Sequence, residues 1–239
     1  MAAFKDKTIL ITGGASGIGL ALAQRFLSAG NTVIICGRRE DALLDAKRRF
    51  PALHIRTCDV SIPAERVALF EWVVDSFPLL DVLVNNAGVQ RRVDLSASSF
   101  DHSEIAINLE APIHLCMLFS SYLSKRNGCI INVTFGLAFS PLAAVPVYSA
   151  TKAAMHSFTL SLRHQLKSVR VVELLPPAVN TDLGGKGLHD FGEPLDKFAD
   201  AVFLRLQAGE LEIAHGFAAE AIAATPQKSK EIFERMNKG

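Results

Sequence analysis

Neither sign of charge dominates this chain: 25 Lys and Arg stand against 24 Asp and Glu, a formal charge of +1 over 239 residues. Nucleic-acid and membrane surfaces require a concentrated excess of basic residues, so neither partner is expected. Cysteine is scarce, and Cys36, Cys58, Cys116 and Cys129 form no CxxC pair and have no histidine at ligand spacing. That pattern predicts no metal site and no disulfide framework, only reduced and mostly buried thiols. No apolar run reaches the ~18 residues of a membrane span. Met1 to Lys7 leads into the first strand without a charged-then-apolar leader, so a soluble, cytoplasmic protein is expected. There is no Gly-Lys-Ser/Thr to mark a P-loop nucleotidase, no internal repeat and no low-complexity linker. What remains is 49% hydrophobic and 21% charged, enough to bury a substantial core as one α/β domain over 1–239.

Taken in order, the chain alternates apolar β-rich runs with helical patterns, which predicts a doubly wound parallel sheet of Rossmann type flanked by helices. Thr8 to Thr12 is a buried strand, and Gly13, Gly14, Ala15, Ser16, Gly17, Ile18 and Gly19 lead from it into a helix over Leu20 to Ala29. Glycines there permit a tight turn, let backbone approach a pyrophosphate at the positive helix end, and let helix pack on strand. The second strand, Thr32 to Cys36, ends in Gly37, Arg38 and Arg39. An acid at that point would hold an adenosine 2′-hydroxyl, whereas an arginine suits a 2′-phosphate, so NADP(H) is favoured over NAD(H). The competing reading is that the arginines only solvate the next helix, Glu40 to Arg49, which is expected to turn Leu43, Leu44 and Phe50 inward. After the strand His54 to Thr57, Asp59 either meets the adenine amino group or caps the following turn.

A helix over Ala64 to Phe77, with Trp72 in the core, precedes the strand Val82 to Val84 and then Asn85, Asn86, Ala87 and Gly88. Those amides are suited to joining neighbouring strand loops, and the small pair after them leaves room for a cofactor. A long helix is expected from Phe100 to Ser124. Asn108 inside it is a poor helix former, so it either holds a water, bends the helix or is simply solvated. The fifth strand is Ile130 to Val133, the next long helix Val147 to Leu166, and the sixth strand Val169 to Leu174. A glycine-rich lid over about 182–194 follows Pro176 to Thr181, at the strand ends where open sheets bind ligands. A helix at Lys197 to Leu206, a strand at Leu211 to Ala214 and a frayed helix at Phe217 to Lys238 complete the pattern. His102, His114, His156, His164 and His215 lack a partner carboxylate at recognisable spacing and are expected to be structural, while His189 falls in the lid and is a candidate substrate contact.

Tyr148 and Lys152 are four residues apart, on one helix face. A neighbouring ammonium favours a phenolate and brings a tyrosine of ordinary pKa about 10 toward acid–base use. Together, Thr12-Gly13-x-x-x-Gly17-x-Gly19, Asn85-Asn86-Ala87-Gly88, Asn108, Tyr148-x-x-x-Lys152 and Pro176-x-x-Val179-x-Thr181 resemble, in one order and along nearly the whole chain, the short-chain dehydrogenase/reductase family. The resemblance implies hydride transfer between a nicotinamide and a carbonyl or alcohol of a small-molecule substrate. Tyr148 would pass the proton, Lys152 would hold the nicotinamide ribose and depress the tyrosine pKa, and Asn108 would seat a water. Gly13, Ser16, Gly17, Ile18, Gly19 and Arg38 would bind the cofactor's phosphates, Asp59 and Asn86 its adenosine side, and Val179 and Thr181 its carboxamide. It also implies a homodimer or homotetramer built on the two long central helices.

One position departs. The family's substrate-orienting serine, about thirteen residues before the tyrosine, is Phe135 here. Phenyl cannot donate a hydrogen bond, and the adjacent Thr134 replaces the serine only if the strand end is twisted or bulged. Ser140 and Ser149 are the other hydroxyls nearby. Loss of one oxyanion donor costs about 3–4 kcal/mol, so such an enzyme is slow rather than dead. Three readings stay open: an NADP(H)-dependent oxidoreductase with an atypical pocket in which Phe135 is an apolar platform, a non-redox isomerase or cyclase, and a catalytically impaired nucleotide-binding protein.

Overall fold

The computed structural model describes residues 4–96 and 101–238. Strands β1 (Thr8–Thr12), β2 (Thr32–Gly37), β3 (His54–Thr57), β4 (Leu80–Asn85), β5 (Cys129–Val133), β6 (Arg170–Leu175) and β7 (Glu212–Ala214) form one parallel sheet in the order β3-β2-β1-β4-β5-β6-β7. The central strands are continuous apolar runs because helices cover both faces of the sheet. One face is packed by α1 (Gly17–Ser28) and α2 (Glu40–Arg49) and, from the other end of the chain, α7 (Leu195–Ala208). The other face carries α3 (Pro63–Ser76), α5 (Ala111–Ser124) and α6 (Pro146–Gln165). On α1, Phe26 is fully buried between the rings of Phe4 and Phe203, at 5.4 and 5.6 Å. Burial of such a ring contributes about 1.5–3 kcal/mol. Strand order reverses between β1 and β4, which opens a crevice at their carboxyl ends.

Several elements differ from expectation for identifiable reasons. The expected helix over Phe100 to Ser124 is not continuous, and Phe100 itself lies outside the described residues. A short α4 (Ser103–Ile105) runs into a π-turn at Ala106–Glu110 before α5 begins. Pro112 has no N–H to give the Asn108 carbonyl in an α-turn, and the Ala111 N–H reaches back five residues to the Ala106 carbonyl. Asn108 thus lies within the bent turn, and the missing N–H that accounts for the turn is that of Pro112. β4 starts earlier than the apolar run because Asp81, buried in the strand, accepts from the Thr8 N–H at 3.0 Å and from Lys7 Nζ at 3.4 Å.

Leu43 is buried, but Leu44 is 44% exposed: α2 has only the narrow stripe of Leu43 and Ala46 to bury, and the next residue is turned about 100° away. The carboxyl-terminal segment forms two helices, α8 (Phe217–Ile222) and α9 (Pro226–Met236), because Pro226 is tolerated only in a first turn and disfavours helix in the residue before it. Trp72 is half-buried on α3, edge-on to Phe77 and under the Arg56 guanidinium. All four cysteines are buried and free. Among the described residues no helix is long and apolar enough to cross a membrane.

Candidate active site

The crevice begins at the loop between β1 and α1. Thr12 Oγ1 accepts from the Asn86 and Ala87 N–H groups at 3.1 and 3.0 Å and donates to the Val84 carbonyl at 3.3 Å. Asn86 Nδ2 in turn donates to the Thr12 and Gly13 carbonyls at 3.0 and 3.1 Å. The segment after β4 is thus stitched to the glycine loop, as the paired amides predict, while Asn85 points the other way and donates to Asn132 Oδ1 at 2.9 Å. Gly13 has φ 64°, and a methyl there would stand 2.8 Å from Ala87 Cα. At Gly19 it would meet Asn86 Nδ2 at 2.4 Å and the Gly13 carbonyl oxygen at 2.5 Å. Packing of loop on loop therefore forbids a side chain at both. Ser16 caps α1 without a side-chain hydrogen bond, so its hydroxyl does not occupy the first N–H groups of the helix.

A cavity of ≈ 840 Å³ extends from this loop along the carboxyl ends of the strands, and Ser16, Gly17, Ile18, Arg38, Asp59, Asn86, Val179 and Thr181 all line it. Asp59 takes the capping role left open by the sequence: its Oδ1 accepts from Ser61 N and Oγ at 2.9 and 2.7 Å. Burial raises its pKa, but those two donors and nearby Arg38 outweigh it and hold the carboxyl below its usual range. Arg38 and Arg39 are exposed at the cavity rim.

Tyr148 and Lys152 reach the same cavity from α6, and both are almost wholly buried. Lys152 Nζ donates to the Val133 carbonyl at 2.9 Å and stands 5.4 Å from the centre of the Tyr148 ring. Phe135 faces that ring edge-on, with centroids 5.8 Å apart. Asn108 is buried, and its side chain is fully engaged. Oδ1 accepts from the Val89 N–H at 2.9 Å, and Nδ2 donates to the Val89 carbonyl at 2.8 Å and to Thr151 Oγ1 at 3.4 Å. Thr151 Oγ1 donates to the Tyr148 carbonyl at 2.7 Å, so the π-turn is tied to α6 beside the phenol.

A family model for short chain dehydrogenase matches residues 7–190. The chain belongs to the short-chain dehydrogenase family. This dehydrogenase is 45% identical over 244 residues, 97% of each chain, to a Bacillus subtilis (strain 168) protein described as an uncharacterized oxidoreductase, DltE. It is 33% identical to the L-xylulose reductase of Caenorhabditis elegans over 196 residues, 78% of this chain and 77% of that one. An alcohol dehydrogenase of Thermococcus sibiricus complexed with 5-hydroxy-NADP matches it with TM-score 0.77 at 26% identity, over 84% of this chain and 90% of that one. A short chain dehydrogenase of Burkholderia cenocepacia J2315 in complex with NADP shares the fold over 100% of both chains, with TM-score 0.84 at 23% identity.

Three features of this dehydrogenase differ from the sequence reading. Thr134 lines the cavity, but its hydroxyl is committed away from the place of the missing serine, donating to Glu173 Oε1 at 2.7 Å. Ser149 Oγ is likewise spent, donating to the Val145 carbonyl at 3.1 Å, and Ser140 Oγ is buried with no protein partner. Second, the Tyr148 phenol is not depressed. Burial pushes it above the ordinary phenol range and the charge of Glu104 pushes it further, while burial lowers Lys152 to about 8. Third, two histidines expected to lack carboxylate partners have them. His156 Nδ1 lies 2.9 Å from Glu173 Oε2, and His215 Nε2 lies 3.0 Å from Glu193 Oε2. Each pair joins elements distant in sequence, so spacing along the chain carries no trace of it. His189 lines the cavity together with Gln90, Arg91 and Leu183, of which only the last three passed without individual notice in the sequence.

Proposed function

We propose that this dehydrogenase is an NADP(H)-dependent oxidoreductase that moves a hydride between the nicotinamide and a carbonyl or alcohol of an apolar small molecule. The observation that carries the reading is one cavity lined both by the glycine loop and Arg38 and by Phe135, Tyr148 and Lys152. The close approach of backbone at Gly13 and Gly19 fits a pyrophosphate cradle, and Arg38 fits a 2′-phosphate. Asp59 and Asn86 would line the adenosine side, Val179 and Thr181 the carboxamide, and Lys152 the ribose. When bound, the nicotinamide supplies or accepts the hydride.

Tyr148 then gives or takes the proton at the substrate oxygen, and Asn108, with its side chain committed to Val89, acts by holding the π-turn against α6. Phe135, Val145 and Tyr148 form one apolar cluster with Leu183, which favours a large apolar or aromatic carbonyl compound over a small polar one. Leu183 lies in the segment after Thr181, where Gly184, Gly185 and Gly187 all have positive φ and the Val179–Glu193 bridge closes the base. That segment serves as the lid of a single catalytic domain. Exposed Met117 on α5 and Leu160 on α6 support a homodimer or homotetramer on those helices. A second reading, proton chemistry at Tyr148 without hydride transfer, draws on the absence of a hydroxyl at Phe135.

Steady-state oxidation of NADPH and NADH against a panel of aliphatic and aromatic ketones tests the cofactor assignment. The wild type is expected to prefer NADPH, and Arg38→Asp to lower the NADPH-to-NADH ratio of kcat/KM by roughly ten- to hundredfold, the worth of a charge-assisted hydrogen bond. A wild type indifferent to the 2′-phosphate, or a ratio unchanged in the variant, contradicts the assignment.

A further inference from the structure

Gln90 stands between two backbone units that buried side chains hold in place. Before it, the Val89 N–H donates to Asn108 Oδ1 at 2.9 Å and the Val89 carbonyl accepts from Asn108 Nδ2 at 2.8 Å. After it, the Arg91 N–H donates to Glu104 Oε1 at 3.2 Å. Asn108 and Glu104 are each 2% exposed and come from the π-turn and from α4, so the path of the chain through Gln90 is fixed on both sides. A backbone held in that way restricts where the side chain between can reach.

Its reach is the reacting end of the cavity, whose wall Gln90 shares with Phe135, Tyr148 and Lys152. Two residues earlier, a methyl at Gly88 would stand 3.9 Å from Lys152 Nζ. On the lid, a methyl at Gly184 would stand 3.3 Å from Gln90 Oε1 and 3.2 Å from the Gln90 carbonyl oxygen. Gln90 thus packs on the lid beside Leu183, which joins the apolar cluster of Phe135, Val145 and Tyr148. Among the described residues the Gln90 amide makes no hydrogen bond, and neither its oxygen nor its nitrogen is sealed from solvent. Other polar groups on the wall are spent. Thr134 donates to Glu173, and the Arg91 guanidinium to Ser103 Oγ at 2.7 Å and Asp101 Oδ2 at 3.1 Å. A free amide N–H on a fixed backbone, beside a phenol, suits an oxygen on which charge develops.

We propose that Gln90 is the substrate-orienting donor of this site, its Nε2–H bonding the reacting oxygen in place of the serine hydroxyl that Phe135 displaces. This rests on the reading of the cavity as that of a carbonyl-reducing oxidoreductase. As the hydride reaches the carbonyl carbon, the π pair of the C=O bond moves onto oxygen, and the oxygen takes the Tyr148 proton. Gln90 keeps its own proton and stabilises the charge in between. The amide reaches in from the lid side, so the end of β5 is free to carry a phenyl ring against the apolar body of the substrate.

The test uses the full chain with acetophenone, its carbonyl carbon isotopically labelled, bound together with NADP⁺, which has no hydride to give. Infrared difference spectra read the C=O stretch in the wild type and in Gln90→Met, which keeps the length of the side chain and removes the amide. The stretch is expected at lower frequency in the wild type, because a hydrogen bond to the oxygen weakens the C=O bond. Gln90→Leu is the second variant should the first not fold. In turnover, Gln90→Met is expected to lower kcat and kcat/KM for the ketone together by roughly a hundred- to a thousandfold, with the NADPH dissociation constant unchanged. Adding Phe135→Ser is expected to restore more activity to Gln90→Met than the same serine brings to the wild type. Superposed stretches, or a variant as active as an active wild type, overturn the proposal; a residue that merely shaped the lid would raise KM and leave the stretch in place. A ketone that binds and shows the shift but is never reduced supports the Gln90 contact and counts against the oxidoreductase reading alone. A ketone that binds neither protein overturns both.

Discussion

Tyr148→Phe is expected to lower NADPH-dependent carbonyl reduction by about 10²–10⁴-fold, the usual worth of a positioned general acid. NADPH binding is expected to change little. The substitution removes one hydroxyl and nothing else the surroundings depend on. The ring keeps its edge-on contact with Phe135, and the hydrogen bond from Thr151 goes to the backbone carbonyl, which phenylalanine retains. Measured together, kcat and the NADPH dissociation constant separate the two effects. A kcat within a few-fold of wild type would mean that the proton comes from elsewhere, and two of the nearby hydroxyls are already committed while that of Ser140 does not line the cavity. Thr134 donates to Glu173 and Ser149 to the Val145 carbonyl.

Lys152→Met is expected to abolish turnover and, unusually for a change in a buried site, to raise thermal stability near neutral pH. Burial lowers the Lys152 ammonium from 10.5 to about 8, so the folded state holds that proton at a cost the unfolded chain does not bear. A gap of that size corresponds to roughly 3 kcal/mol at neutral pH. The variant gives up the hydrogen bond to the Val133 carbonyl, which lines the cavity and stays within reach of water. About 1–2 kcal/mol of net gain then remains, or several degrees in Tm for a chain of this length.

The sign of the pH dependence follows from the same gap. Between about 8 and 10.5 the unfolded chain still binds the proton while the folded protein has released it, so wild-type stability rises through that window and the advantage of Lys152→Met fades. Melting curves of both proteins across that range measure this. A variant less stable than wild type at neutral pH, or an advantage that grows with pH, would contradict it.

The parts of the fold that local chemistry dictates were legible in the chain. Apolar runs too uniform for a half-exposed sheet announced strands covered on both faces, and the glycines after β1 announced a tight, close-packed turn. The Asn85–Asn86 pair announced a bridge between loops, and Asn86 makes it. What stayed hidden depends on partners far apart in sequence. Glu173 looked like one polar residue in an apolar strand, because its partners Thr134 and His156 come from the residue just past β5 and from α6. Thr134 offered a hydroxyl beside Phe135, and only the packing of β6 against β5 shows that it is committed to Glu173. Glu104 gave no signal, since an acid in a first helical turn is ordinary, yet it is buried and accepts from the Arg91 N–H. The π-turn was half legible: Asn108, a poor helix former, marked its place, but the missing N–H that accounts for it is that of Pro112 four residues later.

The central claim is that a hydride moves in this site despite the phenyl ring at position 135. The direct test is single-turnover reaction of NADPH carrying deuterium at the transferable C4 position, with aromatic and cyclic ketones as acceptors and wild type and Phe135→Ser side by side. Mass spectrometry of the alcohol product reads the outcome. The account predicts deuterium on the carbinol carbon with the wild type, most readily from large apolar ketones, and a shift of preference toward smaller polar ketones in Phe135→Ser. Bound NADPH that delivers no deuterium from the wild type, with transfer appearing only when serine is present, would contradict it and favour proton chemistry without redox.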